Sequence, residues 1–301
     1  MDQHLHVFIK VVERHNFSRA AEELLMTQPA VSQYIRTLEE NIGARLLERT
    51  NKYVRLTKAG EIIYFHAKEI VGLYTRMQTL VDDLINQAGG PLSIGASFTF
   101  GEYILPRIIA KMQRNNPDVQ PEITIGNSKE ITNHVMSHQL DVGIIEGHFT
   151  NQDQMHVEAF AEDDMVVVAS PNHPLVKHKP TSILELTQEK WVLREVGSGT
   201  REAADAVFER HKTKPNIIMN FGSTQAIKEA VMSGLGISLL SKWAIQREIQ
   251  NEDLSMIHVN DLPFKRKFSI ITASSFQTKA QQVFIELLHN SKEITDINFN
   301  S

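Results

Sequence analysis

The sequence predicts an α/β protein preceded by an all-α N-terminal domain. Three observations carry that prediction. Residues 17–57 read FSRAAEELLMTQPAVSQYIRTLEENIGARLLERTNKYVRLT, two short helical patterns joined tightly and followed by a basic, hairpin-like segment. Residues 58–87 continue as one uninterrupted helical pattern. From Pro91 onward, strand-like and helical runs alternate.

The N-terminal elements follow from spacing. His4–Glu13 sets Leu5, Phe8, Ile9 and Val12 at i, i+3, i+4, i+7, the stripe of an amphipathic helix. Ser18 is placed to cap a second helix, Arg19–Leu25, with Ala20, Ala21, Leu24 and Leu25 inward. A third helix begins near Pro29, whose missing N–H costs nothing in a first turn. Its inner face is Val31, Ile35 and Leu38, which leaves Thr27, Gln28, Pro29, Ser32, Gln33 and Arg36 on or beside the outer face of its N-terminal half. Glutamine can pair bidentately with adenine, arginine with guanine and serine with several bases, so this is a pattern for reading a DNA major groove. Leu46–Leu56 predicts a two-stranded wing turning at Thr50-Asn51-Lys52, with Arg49, Lys52 and Arg55 reaching phosphates or the minor groove.

Charge distribution agrees. The 301-residue chain carries a formal net charge of −5, which would repel DNA at long range. Residues 1–60 nevertheless hold 9 basic and 7 acidic side chains, against 22 and 29 in the remainder. A locally basic end on an acidic body suits a DNA reader attached to something else.

Thr57 caps the long helix Lys58–Gln87, in which Ile63, Ala67, Ile70, Tyr74, Met77, Val81 and Leu84 repeat at 4-3-4-3 spacing, a seam for a partner helix. Ala88-Gly89-Gly90-Pro91 reads as a hinge behind it. Dimerisation through this rod also suits a helix-turn-helix, because paired recognition helices read paired half-sites.

Beyond the hinge, strand-like runs fall at Leu92–Ala96, Pro121–Gly126, Val142–Ile145, Met165–Ala169, Trp191–Arg194, Ile217–Phe221, Ile237–Leu240, Met256–Val259 and Phe268–Thr272. Helical patterns at Glu102–Asn115, Ile131–His138, Thr200–His211 and Ser223–Ser233 lie between them, which predicts a largely parallel sheet. Four strand-to-helix junctions carry candidate effector-binding residues: Ser97 and Thr99; Asn127 and Ser128; Ser198, Gly199, Thr200 and Arg201; and Thr224. Ligands bind outside the carboxyl ends of parallel strands, and helix N-termini favour anions. Arg201 and Arg194 add the forked charge that suits a carboxylate or sulfur oxyanion. Each junction taken alone also fits ordinary helix capping; their convergence on one edge favours a site.

The first sixty residues closely resemble the N-terminal domain of LysR-type transcriptional regulators. The Ala20-Ala21 pair, Gln28-Pro29-Ala30, Ser32, Ile35, Leu38-Glu39, Gly43, Leu46, Arg49 and Leu56-Thr57-x-Ala59-Gly60 all fall on that family's signature; Leu47 departs from its usual Phe. PLSIGASFTFGEYILP, DVGIIEG and STQAIKEAVMSGLGISLLS resemble its effector domain more loosely. The resemblance implies a periplasmic-binding-protein-like domain with a ligand cleft between two subdomains. It divides the chain into a DNA-binding domain 1–57, a linker helix and hinge 58–90, and an effector domain 91–301, with subdomain I at 91–162 and 266–301 and subdomain II at 163–265. It implies a regulator that binds double-stranded operator DNA and a small-molecule effector, assembles as a dimer of dimers, and has RNA polymerase as a further partner. The VGSGTR segment resembles regulators that sense anions in sulfur or carbon assimilation, the CysL-like regulators of sulfite reduction among them.

Other classes find little support. The absence of cysteine excludes disulfides and thiolate chemistry. No GxSxG, phosphate-loop or dinucleotide motif stands in context, so neither catalytic residues nor a cofactor is expected. His134 and His138 share a helix face without a third ligand, so no metal is expected. MDQHLHVFIK lacks the apolar core of a signal peptide and no run is long enough to span a bilayer, which predicts a cytoplasmic protein without membrane contact. Lys265-Arg266-Lys267 reads as a solvated strand edge. The rival functions are an enzyme or a small-molecule-binding protein carrying an appended helix-turn-helix.

Overall fold

The computed structural model describes residues 3–49, 53–83, 89–147, 155–177, 181–260, 262–273 and 276–291. It divides into two compact units, Met1–Leu84 with Ser137–Gln139, and the remainder.

In the first unit, α1 (Gln3–Arg14), α2 (Phe17–Glu23) and α3 (Gln28–Ile42) close around Phe8, Val11, Ala20, Val31, Ile35 and Leu46. The strands β1 (Leu47–Arg49) and β2 (Val54–Leu56) pair antiparallel as a wing, and α4 (Lys58–Asp82) follows. The cap of α2 is Asn16, not Ser18: its side-chain oxygen accepts from Ser18 N at 2.8 Å and Arg19 N at 3.1 Å. The helix therefore starts and ends earlier than the apolar spacing suggests. Leu25 lies beyond its end at φ 53°, and its side chain faces solvent while Leu24 packs inward. Thr27 caps α3 through Ala30 N, and Gly43 closes that helix in the left-handed conformation at φ 75°.

The wing is locked to α4 at one point. Thr57 Oγ1 accepts from Gly60 N at 3.0 Å and donates to Arg45 O at 2.7 Å. A Cβ on Gly60 would collide with the Leu46 carbonyl. Backbone cannot yield as a side chain can, so Gly60→Ala is expected to destabilise the winged domain by about 1–3 kcal/mol in urea denaturation. An unchanged midpoint would show that the contact relaxes freely.

The second unit has the element order β3 (Gly90–Ser97), α5 (Phe98–Tyr103), α6 (Leu105–Asn115), β4 (Val119–Gly126), α7 (Ser128–Met136), β5 (Val142–Glu146), β6 (His156–Ala169), β7 (Lys190–Arg194), α8 (Gly199–Arg210), β8 (Asn216–Phe221), α9 (Thr224–Met232), β9 (Ser238–Ser241), α10 (Lys242–Gln250), β10 (Ser255–Ile257), β11 (Phe264–Thr272) and α11 (Lys279–Asn290). The main sheet runs β10-β6-β11-β5-β3-β4, with β9 also on β6, while β7 and β8 pair separately. The sheet is mixed, not largely parallel. The pairs β3–β4, β3–β5 and β7–β8 are parallel, but β11 runs antiparallel to both β5 and β6, as β9 and β10 do to β6.

The cause is two long strands that serve two lobes. In the first lobe, Phe160 and Phe268 pack with Ile94, Phe100, Ile108 and Phe284. Further along the same two strands, Met165, Val167 and Phe264 pack with Trp191, Phe208 and Ile237 in the second. Alternate residues of β6, Val166 and Val168, bury against Ile227, Val231 and Leu240 on the sheet's other face. Among the described residues no helix is long and apolar enough to cross a membrane.

Candidate functional site

On the N-terminal unit, α3 presents Thr27, Gln28, Pro29, Gln33 and Arg36 exposed and Ser32 half-buried. Neighbours on that face are already paired. Gln28 Nε2 donates to Ser32 Oγ at 2.9 Å, Gln33 Nε2 to Thr37 Oγ1 at 3.4 Å and Arg36 Nε to Glu40 Oε1 at 2.8 Å. Arg36 and Glu40 are both well exposed, so their ion pair is weak and exchangeable for a base or phosphate. Arg55 stands on the wing with its guanidinium 4.7 Å over the Tyr53 ring. Lys52 and the side chain of Arg49 lie outside the described residues.

The long helix exposes part of the expected seam and turns its first two positions inward. Ile63 packs on the winged-domain core and Ala67 is buried, so neither is open to a second chain. Ile70, Met77 and Val81 are exposed, joined by Ile62, Phe65 and Leu73. Tyr74 is half-buried, and Leu84 lies outside the described residues.

Between the two lobes of the second unit, the strand-to-helix junctions meet around an arginine that the sequence reading placed in solvent. Arg266 is 2% exposed. It donates from Nη1 to Glu146 Oε2 at 2.6 Å and to Thr200 Oγ1 at 3.0 Å, from Nη2 to Thr99 Oγ1 at 2.9 Å, and from Nε to Asp163 Oδ2 at 2.7 Å. Glu146 Oε1 accepts from Thr99 N at 2.9 Å and Phe100 N at 3.3 Å, and Ser128 Oγ donates to Glu146 O at 3.1 Å. Ser241 Oγ donates to Asp163 Oδ1 at 2.7 Å. Burial lifts the Asp163 carboxyl above its ordinary range despite Arg266 beside it. Burial also works against the Arg266 charge, but Glu146 and Asp163 outweigh it and raise its pKa.

The N-termini of α7 and α8 adjoin this cluster, and that of α9 lies beside Arg194. Ser198 caps α8 through Thr200 N, Ser223 caps α9 through Ala226 N, and Asn127 forms a reciprocal cap with Glu130 at the start of α7. The lobes also approach closely at Gly199, where a Cβ would meet the Glu146 carbonyl and side chain. Ser97 precedes α5, and among the described residues its buried hydroxyl has no hydrogen-bond partner. Lys129 N donates to Gly197 O at 3.2 Å across the same seam.

A second group forms beside the first. Arg194 pairs with Glu195 and with Thr224, and Asn127 reaches Glu195 from the first lobe. Arg201 stands apart: it donates to Asp205, to Arg194 O and to Asn220 Oδ1, which commits it to the β7–β8 edge. Of the residues expected from the junctions, the structure gathers Thr99, Asn127, Ser128, Arg194, Thr200 and Thr224 into these two groups, together with Arg266, Glu146, Asp163 and Glu195, which the sequence reading did not name as site residues. Period-two alternation with Phe268 and Ile270 marks Arg266 as an inward residue, a signal hidden by the lysines on either side.

Comparison with known proteins identifies both units. Residues 3–61 match the family described as bacterial regulatory helix-turn-helix protein, lysR family, and residues 86–292 match LysR substrate binding domain. The HTH-type transcriptional regulator CysL of Bacillus subtilis is 39% identical over 288 residues, 95% of this chain and 96% of that protein. The CcmR regulatory domain of Synechocystis PCC6803, solved in complex with 2-PG, superposes at a TM-score of 0.62 with 26% identity, over 66% of this chain and 96% of that one. A full-length OxyR variant from Pseudomonas aeruginosa shares the fold at a TM-score of 0.74 and 22% identity, covering 98% and 96% of the two chains.

Proposed function

We infer the function from one premise: this chain belongs to the LysR family of bacterial transcriptional regulators. It is a DNA-binding transcriptional regulator with a small-molecule-binding domain, and not an enzyme. The observation that carries this reading is the union, in one chain, of an exposed recognition face on α3 with a cluster of polar side chains drawn from both lobes of an α/β domain.

The finer assignments are proposals. The DNA reader is 1–57, with Thr27, Gln28, Pro29, Ser32, Gln33 and Arg36 at the bases and Arg49, Lys52 and Arg55 at the backbone. The linker is 58–90 and the effector domain 91–301, its lobes 91–162 with 266–301 and 163–265. The effector is a small anion. This is supported by the N-termini of α7, α8 and α9 at the seam between the lobes, the buried unpaired hydroxyl of Ser97, and the arginines beside them. CcmR, crystallised with 2-PG, and CysL, with its 39% identity, are relatives that fit such a role.

Dimers form through α4 and pair through their effector domains into tetramers, which act on promoter DNA in the cytoplasm alongside RNA polymerase. Effector changes the angle between the lobes and shifts the assembly between two geometries. It can do so only through a difference in affinity between them.

The test is a gel shift with the full chain on an inverted-repeat site across a salt series. Specific binding should weaken steeply with salt as phosphate contacts release counterions. Arg36→Ala should lose about 1–3 kcal/mol of discrimination at one base pair per half-site while keeping that salt slope. Binding indifferent to sequence would overturn the reading.

A further inference from the structure

Beside the seam, the most enclosed guanidinium of the second group already holds an anion that belongs to the chain itself. Arg194 is 1% exposed, and its guanidinium lies 4.5 Å from the ring centroid of Phe98, which comes from the other lobe. Its Nε donates to Glu195 Oε2 at 2.7 Å and its Nη2 to Glu195 Oε1 at 2.8 Å, the two-point geometry in which arginine takes a carboxylate or oxyanion. Nη1 donates to Thr224 Oγ1 at 3.1 Å, and Nη2 also reaches Gly222 O at 3.3 Å. Glu195 Oε1 further accepts from Asn127 Nδ2 at 3.4 Å, across the seam. One carboxylate is thus held by a cation from the second lobe and an amide from the first, the bridge that a bound effector would make.

Neither of the other two arginines offers an opening of this kind. Glu146 and Asp163 are as buried as Arg266, and each makes further bonds to the fold. The Asp205 side chain is half exposed and one turn from Arg201, but Arg201 also donates to Arg194 O and Asn220 Oδ1, so losing that carboxylate would not free its guanidinium for a ligand. Glu195 differs. Its side chain is 28% exposed against 1% for Arg194, and it lies past the last residue of β7, where it can leave without disturbing the strand. Burial opposes its ionisation, yet the bonds from Arg194 outweigh that and hold the carboxyl below its ordinary range.

We propose that Arg194, Thr224 and Asn127 form an anion subsite that Glu195 occupies in the absence of effector. The ligand it admits is a small oxyanion that presents two oxygens to the guanidinium and accepts one hydrogen bond from Asn127. Glu195 is then a specificity-determining residue: an anion must match its two-point hold to displace it, which a halide, with a single atom, does not. This rests on the reading of the second unit as an anion sensor.

Inorganic sulfate is the probe. The full-length chain is titrated with sodium sulfate at constant ionic strength, balanced with chloride, and its melting temperature is followed. A ligand that binds only the native state raises it saturably. In Glu195→Gln the guanidinium keeps its charge and loses its internal competitor. The sulfate midpoint should fall about tenfold to a hundredfold below the wild-type value, the ratio expected when charge-assisted hydrogen bonds need no longer be broken. Combining it with Arg194→Met should remove the gain. Glu195→Asp, which keeps the charge but shortens its reach, should shift the midpoint in the same direction by less, and it serves should the glutamine variant not fold. Equal midpoints in wild type and variants, or no response in either, would overturn the proposal, as would a gain that survives Arg194→Met. The wild-type gel shift is read separately. If it fails, the regulator reading falls; if it succeeds with equal sulfate midpoints, only the role of Glu195 falls.

Discussion

Replacing Arg266 by methionine is expected to destabilise the effector domain by about 3–5 kcal/mol, the cost of leaving buried charge without its partner. For a domain of this size that lowers the melting temperature by roughly 2–4 °C per kcal/mol. The reason is local. Arg266 is the only cation bonded to Glu146 and Asp163 among the described contacts, and both carboxylates are almost wholly buried. Methionine fills most of the volume but offers them nothing. The loss should depend on pH, with a definite sign. The folded pKa of Asp163 is already raised, so its contribution favours folding at low pH and is lost as pH rises through that value. Without the guanidinium that pKa climbs further. Urea denaturation should therefore find a larger deficit, relative to wild type, at pH 8 than at pH 5. A deficit that is equal at both, or absent, would mean that the cluster is solvated and not the buried ion triad described above.

The same cluster explains what was readable in the chain and what was not. The recognition helix with its inward Val31, Ile35 and Leu38, and the Thr57 cap of the long helix, follow from short-range spacing, and short-range rules hold there because the domain is small and each helix packs with one face. The N-cap of α2 did not follow, because Asn16 and Ser18 are both good caps and only the fold decides between them. In the effector domain, the strands buried on both faces stood out as apolar runs, and β5 is an example, all of whose residues are buried. The first half of β6, HVEAFAEDD, did not stand out, since it alternates acidic and apolar residues as it passes from one lobe to the other. Its antiparallel pairing with β11 was hidden for the same reason.

The site divides along similar lines. Hydroxyl and glycine residues at strand ends are visible in sequence because capping has a local signature, and the structure gathers Thr99, Ser128 and Thr200 onto Glu146 and Arg266. The charged members are paired across separations of more than a hundred residues, Arg266 with Glu146 and with Asp163. No spacing rule reaches that far. An arginine between two lysines reads as solvated until its strand is known to have an inner face. The structure also changes what the arginines mean. A count of positive charge near the seam suggests open cations for an anion, whereas Arg266, Arg194 and Arg201 each already hold a carboxylate. Affinity for an effector then depends on which internal carboxylate can be displaced, a question of burial and reach more than of charge.

The second large effect concerns the long helix. Substituting Leu73 and Met77 by glutamate together is expected to break the tetramer into dimers held only by their effector domains and to weaken operator binding by about a hundredfold to ten-thousandfold, the advantage that linking two half-site contacts confers. α4 carries Ile62, Phe65, Ile70, Leu73, Met77 and Val81 exposed on one side, on a rod of 25 residues. Such a stripe is long for a helix that is to remain in water, and the 3- and 4-residue steps from Ile70 through Leu73 and Met77 to Val81 suit another helix of the same kind. Ile63 and Ala67, by contrast, face inward, so a partner would meet the expected seam at Ile70, Met77 and Val81 and not at its first two positions. Because Leu73 and Met77 are exposed and belong to none of the buried apolar clusters, the glutamates should leave helix content and the winged-domain core intact while adding charge on the stripe. Sedimentation velocity reads the mass, circular dichroism the helix, and a gel shift the affinity. A charge pair at Ile63 and Ala67 should instead unfold the winged domain, which separates the two placements of the seam. If the double glutamate variant keeps the wild-type mass with its helix intact, the chains assemble through some other face.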